Sequence, residues 1–176
     1  MNDMPLKVRR GEQSLRPASS QWDRVGYILS FVRGQHILDV GANRAILCHR
    51  YMEQNPTAVV VAFDVSTDAA TISQYRPYVI GAAEQGLPFL DKAFDMVVCT
   101  QCLEYLTAAQ GAAVLCEMCR VGRKLLLSVT DGPDSFWYQT TTYTAKSFEA
   151  VLRDVGKIEV ATIEHGMALF VVDCEG

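Results

Sequence analysis

The chain has 176 residues, of which 49% are hydrophobic and 20% charged, and its net charge is −4. This composition is that of an ordinary globular domain and excludes disordered, collagen-like and low-complexity proteins. The length predicts a single domain with a core large enough to fold without disulfide or metal staples. A mildly acidic chain is a poor general binder of polyanions, so nucleic acid is not expected as a partner.

The N-terminal 18 residues are predicted to form a flexible basic arm, followed by one domain over residues 19–176. The segment Met1–Arg16 lacks the apolar core of a secretion signal. No apolar run reaches the roughly 20 residues that span a bilayer. We therefore expect a cytoplasmic protein that makes no membrane contact, with its six cysteines present as free thiols.

Four of the cysteines approach the spacing of a zinc ribbon, as Cys99-x2-Cys102 and Cys116-x2-Cys119. However, Cys99 ends an apolar run that predicts a strand, and the second pair lies within a predicted helix. That helix would hold the two pairs apart, since a helix rises about 1.5 Å per residue. We predict no metal site.

Strands and helices are predicted to alternate along the chain. A capping-box pattern over Ser20–Asp23 predicts a helix that runs to about Phe31. The elements predicted after it are strand Gln35–Val40, helix Ala45–Gln54, strand Ala58–Asp64, helix Thr67–Tyr75, strands Tyr78–Ile80 and Phe94–Cys99, helix Ala108–Cys119, strand Lys124–Val129, helix Ala145–Val155, and strands Lys157–Ile163 and Met167–Asp173. The alternation predicts a parallel sheet with helices on both faces, and the short final connection predicts a closing antiparallel hairpin.

Ligands of such sheets bind beyond the carboxyl ends of the strands, which points to the loops after Val40, Phe63 and Ile80. Gly41 allows the first of these loops to turn tightly and to bring backbone amides close to a ligand. Asp64 ends the second strand, 23 residues after Gly41. A carboxylate at that position accepts hydrogen bonds from both hydroxyls of a ribose, so the sequence predicts a nucleoside-type ligand.

Four segments follow one another along the chain: ILDVGAN, AFDVS, GAAEQGL with PFLDKAFDMVVCTQCLEYL, and CRVGRKLLLSV. Together they resemble the class I S-adenosylmethionine (SAM)-dependent methyltransferases, and most closely the type 11 group. The resemblance covers about Gln35 to Asp173. It implies an α/β, Rossmann-like sheet of seven strands in the order 3-2-1-4-5-7-6, with the last strand antiparallel and helices on both faces.

The same resemblance implies SAM as the cofactor and assigns residues to it. Those implied near the methionine moiety are Asp39, Gly41, Ala42, Asn43 and Gln101. Those implied near the adenosine are Asp64 at the ribose, Val65 on the adenine face, and Ala82, Ala83 and Glu84 at the adenine edge.

The chain departs from the family pattern at five positions. They are Asn43 and Ala45 in place of glycines, Ala82 in place of an aspartate, and Gln101 and Tyr105 in place of a histidine pair. Arg44 is a further unusual residue in the first motif. It is either a charge-assisted partner of the SAM carboxylate or a solvated residue at a helix start.

Methyl transfer from a sulfonium is an in-line displacement, so proximity and alignment supply most of the catalysis. A general base is needed only when the acceptor must lose a proton. The aromatic and hydroxyl-rich segment Thr130–Tyr143 is either the lining of an acceptor pocket or a self-packed surface loop. The candidate catalytic residues are His165, Tyr138 and Tyr143.

The favoured hypothesis is a SAM-dependent methyltransferase that acts on a small molecule or a biosynthetic intermediate. The alternative is a non-catalytic protein with the methyltransferase fold that serves as a binding or scaffold partner. A nicotinamide-binding Rossmann domain is disfavoured because the G-x-G-x-x-G pattern is missing and the chain closes with a hairpin. The sequence leaves open whether the partner is a second copy of the chain or another protein.

Overall fold

The computed structural model describes residues 9–10, 22–131 and 139–175. Its strands are β1 (Arg9–Arg10), β2 (His36–Val40), β3 (Val59–Asp64), β4 (Tyr78–Ile80), β5 (Phe94–Thr100), β6 (Gly122–Thr130), β7 (Lys157–Glu164) and β8 (Met167–Asp173). Its helices are α1 (Arg24–Leu29), α2 (Ile46–Gln54), α3 (Thr67–Ser73), α4 (Ala108–Val121) and α5 (Ala145–Arg153), with 3₁₀ turns at Ala83–Gln85 and Leu103–Tyr105. Each predicted strand and helix is present, with shifts at the ends.

The strands form one sheet in the order β1-β7-β8-β6-β5-β2-β3-β4. Without the two-residue strand β1, and numbered in chain order, this is the predicted order 3-2-1-4-5-7-6, so the prediction is confirmed. Strand β8 runs antiparallel to both β6 and β7, and the other neighbouring pairs are parallel. Strand β1 is an addition to the predicted sheet and pairs with Thr162 and Ile163 of β7.

Both faces of the sheet are covered because its central strands carry apolar side chains on both sides. On β6, Leu125 packs into a core with α4 and α5, and the next residue, Leu126, packs into a second core with α1 and α2. Both leucines are fully buried. Successive side chains of a strand point to opposite faces, so a continuous apolar run serves two layers of helices.

Helix α1 starts later than predicted. The capping-box prediction at Ser20 is wrong, because Asp23 caps the helix by accepting the N–H of Gly26 at 3.0 Å. The Asp23 carboxylate also accepts two hydrogen bonds from Arg50 of α2, at 2.7 and 2.6 Å. The Arg50 guanidinium holds the pKa of Asp23 well below its ordinary value. One carboxylate therefore starts α1 and ties it to α2.

A disulfide links Cys119 of α4 to Cys174, with 5.6 Å between the two Cα atoms. The prediction that all six cysteines are free thiols is therefore wrong for this pair. The two residues meet because β8 ends beside α4, and Lys92 Nζ donates to the carbonyl oxygens of Cys119 and Cys174 at 2.9 and 3.2 Å. Cytoplasmic localisation stays a prediction.

The four cysteines whose spacing approaches that of a zinc ribbon do not form that arrangement. Cys116 is exposed on α4, Cys119 is in the disulfide, and Cys99 is buried in β5. Within residues 22–131 and 139–175, no group of three or more metal-ligating side chains comes together. No helix in these segments is long and apolar enough to cross a membrane.

Candidate functional site

A cleft of about 920 Å³ opens at the carboxyl edge of the sheet, where β2, β3, β4 and β5 end. It lies at the loops that the sequence analysis selected. The structure brings to its walls all the residues predicted to hold the cofactor: Asp39, Gly41, Ala42, Asn43, Asp64, Val65, Ala82, Ala83, Glu84 and Gln101. Residues that are far apart in the sequence thus line one site.

The turn after β2 forms one wall of the cleft. Gly41 has a φ of +76°, and a Cβ built on it would lie 2.5 Å from Cys102 Sγ. Only glycine satisfies both the backbone conformation and this close approach. The N–H groups of Gly41 and Ala42 donate to the carbonyl oxygen of Phe63, at 2.9 and 3.1 Å. These bonds hold the turn against the end of β3.

Asn43 and Ala45 stand where the family pattern has glycines, and their backbones keep the left-handed conformation that glycine favours. Their φ angles are +46° and +53°. Tyr78 Oη donates to the carbonyl oxygen of Asn43 at 2.7 Å, and the Ala45 N–H donates to the Ala42 carbonyl at 2.8 Å. Neighbouring groups thus stabilise a left-handed backbone conformation that glycine would adopt more easily.

Asp64 connects the end of β3 to this turn. Its Oδ2 accepts the N–H of Asn43 at 2.9 Å, and its Oδ1 accepts the N–H of Ser66 at 2.8 Å. A carboxylate oxygen has a second acceptor position, so both oxygens still have room for a hydroxyl donor. The next residue, Val65, lines the cleft with 68% of its surface exposed. It offers an apolar surface on which a flat ring can pack.

Asp39 lies at the floor of the cleft and is only 3% exposed. Cys48 Sγ donates to its Oδ2 at 3.4 Å. Burial raises the pKa of Asp39 to about 7, the hydrogen bond from Cys48 opposes the rise, and the negative charge of Asp64 adds to it. Near neutral pH, the Asp39 carboxyl therefore exists in both protonation states.

Gln101 follows β5 and lies at the end of the cleft next to α1. Its backbone is left-handed, with a φ of +51°. Its Nε2 donates to Thr130 Oγ1 at 3.3 Å, and its Oε1 accepts a hydrogen bond from Arg24 Nη1. Arg24 lines the cleft from the first position of α1. The sequence analysis missed Arg24, because 77 positions separate it from Gln101 and no local pattern joins them.

A family model described as a methyltransferase domain matches residues 38–125. The chain belongs to this family. The matched segment runs from β2 into β6 and supplies most of the residues that line the cleft. No curated protein matches the chain.

Solved structures of methyltransferases share the fold. A putative methyltransferase from Bacillus halodurans aligns with a TM-score of 0.71 and 15% identity, over 87% of this chain and 99% of that one. A putative methyltransferase of Haloferax volcanii, in complex with the Trm112 methyltransferase activator, aligns with a TM-score of 0.72 and 14% identity, over 86% and 88%. The cyclase SpnF aligns with a TM-score of 0.63 and 19% identity, over 78% and 57%. These likenesses show the fold.

The segment after β4, which the sequence analysis assigned to the adenine edge, carries Ala82, Ala83 and Glu84. Ala82 and Ala83 are half-buried in the wall of the cleft, and Glu84 is exposed in the 3₁₀ turn that follows. Position 82 thus brings no carboxylate to the cleft. Arg44 lines the cleft as an exposed residue just ahead of α2.

The structure does not bring the candidate catalytic residues into the cleft as a group. Tyr138 lies outside the described residues. Tyr143 is buried, its ring centroid is 4.9 Å from that of Phe148, and it does not line the cleft. His165 is in the turn between β7 and β8, where its ring lies 4.8 Å from that of Trp22, and it also stays outside the cleft wall.

Proposed function

We propose that this methyltransferase-domain protein is a SAM-dependent methyltransferase that acts on a small molecule or a biosynthetic intermediate. One observation carries the proposal: the residues expected to bind SAM, chosen from four separate segments, meet in a single cleft. Membership of the methyltransferase domain family supports the same conclusion.

The residues present fit SAM. The free acceptor positions of Asp64 suit the two ribose hydroxyls, and the exposed face of Val65 suits the adenine ring. A volume of about 920 Å³ is at the upper end of the roughly 300–1,000 Å³ that small-molecule sites enclose. The cleft therefore has room for a second molecule beside the nucleoside.

When bound, SAM supplies a methyl group on a sulfonium, which is already activated for in-line displacement. The chain then has to bind the cofactor and the acceptor, orient them and exclude water. Gln101 and Arg24 close one end of the cleft, and the half-exposed Tyr105 lies on the same wall. An acceptor atom with a free lone pair needs no general base. We therefore assign no catalytic base among the described residues.

The proposal is tested by calorimetric titration with SAM and with S-adenosylhomocysteine. We expect micromolar binding by the wild type and a loss of tenfold or more in Asp64→Ala, which is about 1.4 kcal/mol. Asp68→Ala is the matched control, because Asp68 is exposed in the first turn of α3 and does not line the cleft. Equal affinities of the two variants would contradict the assignment of Asp64.

Two arginines line the cleft, and either can pair with the carboxylate of the cofactor's amino-acid part. Titrating Arg44→Gln and Arg24→Gln with S-adenosylhomocysteine and with methylthioadenosine, which lacks that part, separates them. The arginine that binds the carboxylate is the one whose loss weakens only the first ligand. Weakening of both ligands alike would assign that arginine a structural role instead.

A second candidate function is that of a non-catalytic partner protein. It is favoured by Ala82, which brings no carboxylate to the part of the cleft assigned to the adenine edge. A structural neighbour that forms a complex with a methyltransferase activator adds a precedent for a protein partner. Failure of both SAM and S-adenosylhomocysteine to bind a folded wild-type protein would favour this function over methyl transfer.

A further inference from the structure

The guanidinium of Arg24 marks the end of the cleft next to α1. Arg24 is exposed, lines the cleft and donates through Nη1 to Gln101 Oε1. Among the described residues it forms no salt bridge and no other side-chain hydrogen bond. A guanidinium has several N–H donors in one plane and suits a carboxylate, which can accept two of them side by side. Most donors of Arg24 are thus available to a molecule in the cleft.

The buried carboxyl group of Glu104 does not occupy these donors. Burial raises the pKa of Glu104, and the charge of Arg24 is among the weaker effects that oppose the rise. Glu104 is 1% exposed, and its Oε1 accepts the N–H of Thr130 at 2.8 Å. It does not line the cleft. The exposed side of Arg24 therefore stays open to an anion that enters the cleft.

The second arginine of the cleft, Arg44, starts from the opposite side. The residue before it, Asn43, donates its N–H to Asp64 Oδ2 at 2.9 Å and accepts from Tyr78 Oη at 2.7 Å. Asp64 ends β3 and Tyr78 begins β4. The backbone next to Arg44 is therefore held on the side of the cleft assigned to the nucleoside.

The order of the strands separates the two sides. Strands β5 and β3 flank β2, so their ends are two strand spacings apart, which is roughly 10 Å. Asp64 lies at one of these ends, and Gln101 with Arg24 lies at the other. In-line displacement places the acceptor atom beyond the methyl group as seen from the sulfur. The Arg24 end, which is farther from the ribose site, is therefore the acceptor side.

Apolar side chains flank Arg24 on both faces of the sheet. Val25 packs against the core that includes α1 and α2, whereas Leu106 packs against the core that includes α4 and α5. Both line the cleft together with Tyr105, which is 49% exposed. A molecule at this end thus meets one cation among apolar surfaces.

The opposite end of the cleft carries the negative charge. The carboxylates of Asp64 and the exposed Glu84 line the cleft where β3 and β4 end. An anion is repelled from that end and attracted to the guanidinium at the other. SAM brings a single carboxylate, so two arginines in one cleft leave one guanidinium for another acid. The position of Arg44 beside the nucleoside side leaves Arg24 for this role.

We propose that the methyl acceptor is a small carboxylic acid with an apolar body, and that Arg24 binds its carboxylate. The inference names the substrate class of the proposed methyltransferase and rests on that function. One guanidinium balances one negative charge, which favours a carboxylate over a phosphate group, whose charge is larger. Val25, Tyr105 and Leu106 provide the contacts for the apolar body.

The test compares benzoate with benzamide, its neutral counterpart of nearly the same shape. Each is titrated into ¹⁵N-labelled protein saturated with S-adenosylhomocysteine, and the chemical-shift changes give the dissociation constants. We expect benzoate to bind the wild type about fivefold to tenfold more tightly than benzamide, as for a partly exposed charge-assisted hydrogen bond. Arg24→Gln should remove this preference and weaken benzoate more than it weakens S-adenosylhomocysteine.

Two further variants control the result. Arg24→Lys keeps the charge and should restore part of the preference for benzoate. Arg33→Gln removes the same charge from an exposed residue outside the cleft, so it should leave both affinities unchanged. Equal binding of benzoate and benzamide to the wild type, or no binding of either, overturns the proposal. A preference for benzoate that survives in Arg24→Gln does so as well.

The same titrations distinguish this inference from the function on which it rests. Binding of S-adenosylhomocysteine is measured before benzoate is added. If the wild type does not bind it, the proposed function fails. If the wild type binds it and shows no preference for benzoate, only the assignment of the acceptor fails.

Discussion

Asp39 couples the stability of the fold to pH. Burial raises the pKa of its carboxyl from 3.8 to about 7, the hydrogen bond from Cys48 opposes the rise, and the charge of Asp64 adds to it. A group that holds its proton more tightly in the folded chain stabilises the fold most at low pH. That contribution is lost as the pH rises from about 4 to about 7.

Asp39→Asn removes this titration while keeping an acceptor for Cys48. We expect the wild type to lose about 4 kcal/mol relative to the variant as the pH rises from about 4 to about 7, at about 1.4 kcal/mol per pH unit. Urea denaturation of both proteins across this range measures the difference. Parallel pH curves would show that the Asp39 carboxyl titrates in the folded chain as it does in the unfolded one.

The sequence predicted the part of the cleft around Gly41 and Asp64 more fully than the end next to α1. Asp64 and Gly41 were recognisable because Asp64 ends a strand and Gly41 directly follows one, and strand ends meet at one edge of a parallel sheet. Arg24 and Thr130, which both contact Gln101, carry no such local pattern. They meet through side-chain contacts across α1, β6 and the turn after β5, and only the folded chain shows which side chains touch.

At the scale of elements, helix α3 ends in an unfavourable conformation. Gln74 caps it with a left-handed backbone at a φ of +53°, and its side chain is exposed. Glycine is the usual residue at such a helix end because it has no Cβ to strain. We expect Gln74→Gly to raise the free energy of unfolding by roughly 0.5–1 kcal/mol.

The matched change is Gln54→Gly, at the last position of α2, where the residue is also exposed. There the backbone is helical, so glycine should lower the free energy of unfolding by up to about 1 kcal/mol. Chemical denaturation of the two variants beside the wild type measures both effects. The same sign for both changes would mean that side-chain contacts, rather than backbone conformation, decide the stability of these helix ends.

The sequence predicted where strands and helices lie wherever the apolar residues form a clear pattern. The strands β3 and β5 are largely apolar runs in the sequence, and the structure places them beside β2 as predicted. The predicted start of α1 was wrong because two nearby residues, Ser20 and Asp23, are both suitable helix caps. Arg50 of α2 binds Asp23 across the helix pair, a contact that no local sequence pattern indicates.

At the scale of the whole molecule, the disulfide between Cys119 and Cys174 closes a loop over 55 positions. Such a link acts mainly by restricting the unfolded chain, and a loop of this size is worth about 4 kcal/mol. We expect Cys174→Ser to lower the free energy of unfolding by about that amount. Cys116→Ser should have little effect, because Cys116 is an exposed free thiol on the same helix as Cys119.

Thiol titration of the denatured protein provides the direct check. Without reductant we expect four reactive thiols, which are those of Cys48, Cys99, Cys102 and Cys116. After reduction all six cysteines should react. Six reactive thiols in the unreduced protein would show that Cys119 and Cys174 are free thiols, as the sequence analysis expected. No spacing rule could have paired them, since their approach depends on the placement of β8 against the rest of the sheet.

Strand β1 bears on how copies of the protein behave at high concentration. Its two residues pair with Thr162 and Ile163 of β7, which would otherwise offer the backbone groups of an eight-residue edge strand. Open edges of this length recruit strands from neighbouring molecules and seed aggregation. On the opposite side, the sheet ends at β4, which has only three residues. A tag or truncation that displaces β1 would therefore show itself as self-association of the protein.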